Sequence, residues 1–215
     1  RIGTTFRSSN LSEKINTFDY DLFSNDYVIN NDLLSFETSS QTKTITPRAG
    51  FGWNKSKFNV NVNVGSNLVN FDNYSLYLNS ETNLDKNYFI PYFTANLNYR
   101  FTKSKRIWLS YDYNFDMPSA NQILPVENLS NPLNTVVGNP NLDYNKYHNI
   151  YFNYSNYDYA TRSGYGVYSG GNFYDSQVVL STTFNEDRKR STTYENVSGT
   201  NNFWFGFYMY KKKKK

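Results

Sequence analysis

Phe58-Asn59-Val60-Asn61-Val62-Asn63-Val64 decides the fold of this chain. Apolar and polar residues alternate here without a break. A repeat of two is the repeat of an extended strand, whose successive side chains point to opposite faces. Phe58, Val60, Val62 and Val64 make one face, and Asn59, Asn61 and Asn63 make the other. A helix, at 3.6 residues per turn, would scatter both sets around its axis.

The same rhythm recurs on either side. Pro91, Phe93, Ala95, Leu97, Tyr99 and Phe101 alternate with Thr94, Asn96, Asn98 and Arg100. Ile107, Leu109, Tyr111, Tyr113 and Phe115 alternate with Arg106, Trp108, Ser110, Asp112 and Asn114. Upstream, Ile45, Pro47, Ala49, Phe51 and Trp53 oppose Thr44, Thr46, Arg48, Gly50 and Gly52; downstream, Ile150, Phe152 and Tyr154 oppose Tyr151, Asn153 and Ser155. With segments near 1–8, 165–182 and 200–210, the count is about eight strands, most of them longer than the ~5–6 residues of a globular strand. The fold class is all-β, an antiparallel meander.

Connection lengths alternate too. Short ones fall at Asn54–Lys57, Thr102–Lys105 and Thr161–Gly164, and long ones near 9–31, 71–87, 117–144 and 184–199. Outer-membrane barrels place short turns at the periplasmic end and long loops outside, and a tilted membrane strand needs ~9–11 residues. Lys55, Lys57, Lys103, Lys105, Arg106 and Arg162 gather at the short-turn end, while most acidic residues lie in or beside the long loops. Arg48, the charge deepest in a strand, is on the Thr/Gly face, where it escapes the ~2–4 kcal/mol cost of a basic side chain at the lipid midplane. Trp53, Tyr88, Tyr99, Tyr113 and Tyr210, near strand ends, suit aromatic girdles. These features favour a membrane-spanning wall over a soluble sandwich with one wet face.

Composition narrows the function classes. Of 22 Lys and Arg, five form the tract Lys211 to Lys215, and the other 17 are outnumbered by 18 Asp and Glu, so the basic pI carries no nucleic-acid signal. No Cys and a single His exclude thiolate and His-cluster metal sites. A Ser-His-Asp triad would have to recruit His148 at the start of a strand, where a polar boundary residue is the simpler reading. Asp19-Tyr20-Asp21 with Asp26 has the oxygens of a cation site but not the spacing of an EF-hand. Gly164, Gly166, Gly170 and Gly171 thin one strand, for curvature or for close approach of a neighbour. No catalytic residue, cofactor or metal is expected.

The longest loop carries further motifs: Met117-Pro118-Ser119, Gln122-Ile123-Leu124-Pro125, Asn131-Pro132-Leu133 and Gly138-Asn139-Pro140-Asn141-Leu142. This succession, opened by Leu109-Ser110-Tyr111 and followed by His148-Asn149, resembles the outer-membrane β-barrel domain of Bacteroidetes TonB-dependent receptors. Leu34-Ser35-Phe36-Glu37-Thr38 with Pro47-Arg48-Ala49-Gly50, and Ser181-Thr182-Thr183-Phe184 with Arg190-Ser191-Thr192-Thr193, are similar to other strands of that domain. The resemblance implies a location in the Gram-negative outer membrane, surrounding lipid, and a larger barrel with a plug domain. It also implies a TonB-type energy-coupling protein and uptake of a small polar ligand. Residues 1–210 would be part of the barrel wall and 211–215 a lysine-rich periplasmic end. The first strand, Arg1 to Ser8, is not expected to pair with the last, Thr200 to Tyr210, because eight strands are only a sector of such a wall. Tyr113, Asn114, Asp116, Gln122, Asn139 and Tyr144 are the candidate ligand contacts, because such groups can stack on and hydrogen-bond a polar solute. The alternatives are a non-transporting structural or adhesive barrel, and a soluble sugar-binding sandwich.

Overall fold

The structure, a computed structural model, describes residues 1–128, 133–184 and 189–211. In chain order its elements are β1 (Ile2–Ile15), β2 (Phe18–Asp21), β3 (Asp26–Asn30), β4 (Phe36–Lys55), β5 (Phe58–Tyr77), β6 (Ser80–Arg100) and β7 (Lys105–Asp116). There follow α1 (Ala120–Ile123), β8 (Glu127–Asn128), β9 (Asn134–Val137), β10 (Asn145–Asp158), β11 (Ser163–Phe184), β12 (Arg190–Val197) and β13 (Asn201–Lys211).

The wall is an antiparallel meander in the order β1-β4-β5-β6-β7-β10-β11. Its last member is interrupted. β12 pairs with Gln177–Phe184 and β13 with Ser163–Phe173, end to end along one edge of β11. Gly199, with φ of 78°, lies in the break. Eight wall strands result, as the alternation indicated. β2 and β3 form a separate hairpin above β1 and β4.

Three wall-strand boundaries differ from the sequence reading, one being β12, whose Arg190–Val197 fall in the expected last long connection. The first strand runs to Ile15 rather than ending at Ser8. Residues 71–87 are not a loop: β5 continues to Tyr77, turns at Leu78 and Asn79, whose φ values are 49° and 56°, and returns as β6. The left-handed pair suits a two-residue hairpin turn. The β5–β6 register holds from Phe58↔Tyr99 to Tyr77↔Ser80, so no bulge alters which face a residue occupies.

Cross-strand partners extend the two faces across the sheet. Val62 lies opposite Ala95 and Phe51, while Asn63 lies opposite Thr94 and Gly50. Asn61, Asn96 and Ser110 align in one row, and Val60, Leu97 and Leu109 in the next. Broken only by Ser66, the apolar face runs from Phe58 to Leu68 on β5 and from Phe89 to Tyr99 on β6. Beyond it stand Asn70 and Asn87. That is about 25 Å of height for tilted strands, the thickness of an outer-membrane apolar band. At its short-turn edge the rings of Trp53, Phe58, Tyr99 and Phe101 contact one another in sequence, with centroids 5.9, 4.7 and 4.6 Å apart. On β13 the same face bears Phe203, Phe205, Phe207 and Met209, all well exposed. Tyr88 departs from the girdle reading. It is on the opposite face, edge-on to Tyr144.

The glycines of β11 answer the large rings of its neighbour. Gly170 lies opposite Trp204, and a Cβ there would come within 2.6 Å of Trp204 Cζ2. Tyr208 covers Gly166, and Tyr168 covers Gly206 in the reverse sense. Close approach of a neighbouring strand, rather than curvature alone, accounts for the thinned strand.

Candidate functional site

The connection between β7 and β10 folds back into the sheet. Ala120, Ile123, Leu124, Leu142 and Tyr144 are buried against Val69 and Phe71 of β5 and Ile90 of β6. Burying an aliphatic side chain of this size contributes about 1.5–3 kcal/mol. Val69 and Phe71 share the face of Asn59, Asn61 and Asn63, because the β5 register is unbroken. The same loop reaches both ends of the wall. Asn121 Nδ2 donates to Glu13 of β1, 2.6 Å, and Thr38 of β4 donates to Asn121 Oδ1, 3.4 Å. At the other end Asn134–Val136 pair in parallel with Arg190–Thr192 of β12. A segment packed on that face leaves no room there for lipid, so the asparagine face is the lumenal face.

Charge-assisted bonds latch the loop. Lys86 Nζ donates to the carbonyls of Pro140 and Leu142, at 2.7 and 3.0 Å. Burial pushes the Lys86 ammonium below its ordinary value. Gly138 lets the chain pass against the end of α1, where a Cβ would meet the Leu124 backbone. Asn73 and Ser75, on the wall beneath, are buried side chains without hydrogen-bond partners among the described residues.

The candidate contacts divide into two groups. Gln122 accepts from Ser119 N, 2.8 Å, and caps α1. Asn139 donates to Tyr194 O, 2.8 Å, and accepts from Asn141 N. Tyr144 is in the buried cluster, edge-on to Tyr88 and Phe115. These three hold the loop in place. Asn114 and Asp116 instead line a lumenal cavity of about 530 Å³, whose rim Tyr113 also touches although its ring lies beside His148 on the apolar-band side. Its other wall is a hydroxyl-rich surface on β1 and β4 with Arg7, Arg48 and Thr46, closed by Asn67 and Tyr92. The alternation had set Arg48 toward the lumen. Arg7 was overlooked, although Thr5, Arg7 and Ser9 repeat every second residue in β1.

Other polar groups have local partners. Asp21 accepts from Phe23 N and Ser24 N at the tip of the β2–β3 hairpin, and the first of these bonds leads in lowering its pKa. Asp19 accepts from Asn31 Nδ2. The acidic stretch therefore shapes a hairpin. His148 is held between Tyr111 OH at 2.6 Å and Asp175 at 3.1 Å, on the apolar-band side of the sheet. Asn131, Pro132, Glu186, Asp187 and Lys212 to Lys215 lie outside the described residues.

Long meander strands, an outward apolar band and a polar lumen with an inward loop define the wall of an outer-membrane β-barrel. The model of the outer membrane protein beta-barrel family matches residues 2–215; the chain belongs to that family, and its place is the outer membrane, in contact with lipid. Neither the curated proteins nor the solved structures provide a match.

Proposed function

We propose that this chain is a sector of a TonB-dependent-type receptor, taking up a small polar solute through a lumen wider than eight strands enclose. The open edges carry the reading. Among the described residues β1 pairs only with β4, and β13 only with β11. Unpaired backbone groups are not tolerated in lipid. Further strands, supplied by the remainder of the barrel, would satisfy them. Residues 1–210 then serve as wall and outer loops, and 211–215 as the periplasmic end. A plug domain in the remainder would engage the energy-coupling protein. The loop motifs shared with the receptor domains support the same reading, as does a lumen lined by Asn, Thr and Arg.

Energy dependence is the test. Cells carrying the protein should accumulate its solute only while the inner-membrane gradient and the coupling protein are intact. Uptake unchanged after the gradient is dissipated would make it a passive pore. A deletion strain with unimpaired uptake of every solute offered, but altered surface adhesion, would favour the structural barrel.

A further inference from the structure

We propose that the cavity beneath the inward loop is an oxyanion subsite, in which Arg7 and Arg48 receive a carboxylate or phosphate group of the solute. This deepens the uptake reading and rests on it.

Arg48 is set in place by three strands. Opposite it on β5 stands Gly65, where a Cβ would come 2.9 Å from the Arg48 Cα, so a larger residue would displace it. From β6, Tyr92 presents its ring face, 5.9 Å from the guanidinium carbon, and its hydroxyl, 3.4 Å from Nη1. A ring face and a phenol orient a guanidinium without neutralising it. Among the described residues neither Arg48 nor Arg7 joins an ion pair; the pairs present are Lys14–Glu37, Lys146–Asp143 and His148–Asp175. Two guanidinium groups outside any of these ion pairs thus line one cavity.

The remaining lining is also suited to donate. Thr46 donates to Asn67 Oδ1, 2.7 Å, and both are buried, which leaves the Asn67 amide NH₂ available to an acceptor. An Arg fork matches a carboxylate or phosphate with two parallel bonds, which a lone ammonium cannot do. Asp116, across the cavity at the top of β7, fixes polarity. Its charge weakens the binding of any anion, and it accepts from a hydroxyl or ammonium at the far end of the solute.

The test uses the complete protein purified from outer membranes in detergent, titrated calorimetrically with citrate, inorganic phosphate and glucose. Citrate or phosphate should bind, and the stronger of the two names the oxyanion; glucose alone should not. Arg48→Ala and Arg7→Ala should each weaken binding about tenfold or more, as expected for a charge-assisted hydrogen bond. Arg48→Lys should keep part of the affinity, since the charge remains but the fork is lost. Asp116→Asn should tighten binding. Heat-modifiable gel migration identifies folded variants, and Arg48→Lys serves if the alanine variant fails to fold. Equal binding in all variants, or no binding of either anion to folded protein, overturns the inference. Binding is read on purified protein and energy-dependent uptake on cells. Uptake without anion binding therefore refutes the subsite and spares the transport reading; absent uptake refutes the transport reading directly.

Discussion

The lower and upper halves of β5 are one continuous strand, yet their chemistry is reversed. Below, Phe58, Val60, Val62 and Val64 face outward and Asn59, Asn61 and Asn63 face the lumen. Above, Asn70 and Asp72 face outward and Val69 and Phe71 face inward. No bulge separates the halves. The surroundings have changed instead. In the band, lipid lies outside and water inside; above it, water lies outside and the folded loop inside. A strand has only two faces, and each level of the barrel decides which one is apolar.

Removing the inward anchor should do the most damage. Phe71 is almost fully buried under the loop. Phe71→Ala should cost about 3–5 kcal/mol in the docking of residues 117–144, seen as faster hydrogen exchange and proteolysis of that loop, with strand content unchanged. The equivalent change at Asn61, in the lower lumen, should leave the loop protected. If both variants release the loop equally, the apolar patch is not its seat.

Charge sharpens the contrast from the other side. Val62→Lys should destabilise the barrel by about 2–4 kcal/mol, measured by urea unfolding in lipid vesicles. Asn70→Lys, on the same face but above the band, should be nearly neutral. A large penalty at residue 70 would move the membrane boundary upward and weaken the reading of Leu68 as its edge.

Period-2 alternation made the lower half legible in the sequence. Arg48 was assigned its face because alternation settles facing even for a lone charge. The upper half escaped because its apolar face changes sides. Asn70-Phe71-Asp72-Asn73 reads as polar loop when judged by the phase below it, so a hairpin became a connection. The candidate site was half legible. Asn114 and Asp116 line the cavity, but Gln122, Asn139 and Tyr144 belong to a loop that docks on its own wall. Local sequence holds no record of that non-local packing. Glycines in β11 could be read only once Trp204 and Tyr208 were seen above them.

Smaller effects probe the loop's seam. Asn139→Ala removes the bond to the Tyr194 carbonyl and should loosen the β12 side of the loop by about 1 kcal/mol, measured by hydrogen exchange of residues 134–144. Exchange unchanged there would leave the tether to the β9 pairing and the Asp143–Asn196 bonds. The smallest expected effect concerns the exposed hairpin. Asp85 lies opposite Asp72, and a hydrogen bond with it leads in raising the Asp85 pKa, with burial and the like charge behind. A carboxyl raised in the folded state favours folding at low pH. That contribution is lost as pH rises through the raised value. Asp85→Asn should therefore slow hydrogen exchange of residues 70–87 at pH 7 and do nothing below about pH 4. The same change at both pH values would contradict carboxylate repulsion as its cause.

The reversal itself is most directly measured with nitroxide labels placed singly at residues 61, 62, 70 and 71 of the complete protein in lipid vesicles. Accessibility to oxygen reports lipid, and accessibility to a polar nickel chelate reports water. The expected result is oxygen access at 62, chelate access at 61 and 70, and access to neither at 71. Oxygen access at 61, or chelate access at 71 equal to that at 70, would contradict a lumen lined by asparagine below and filled by the loop above.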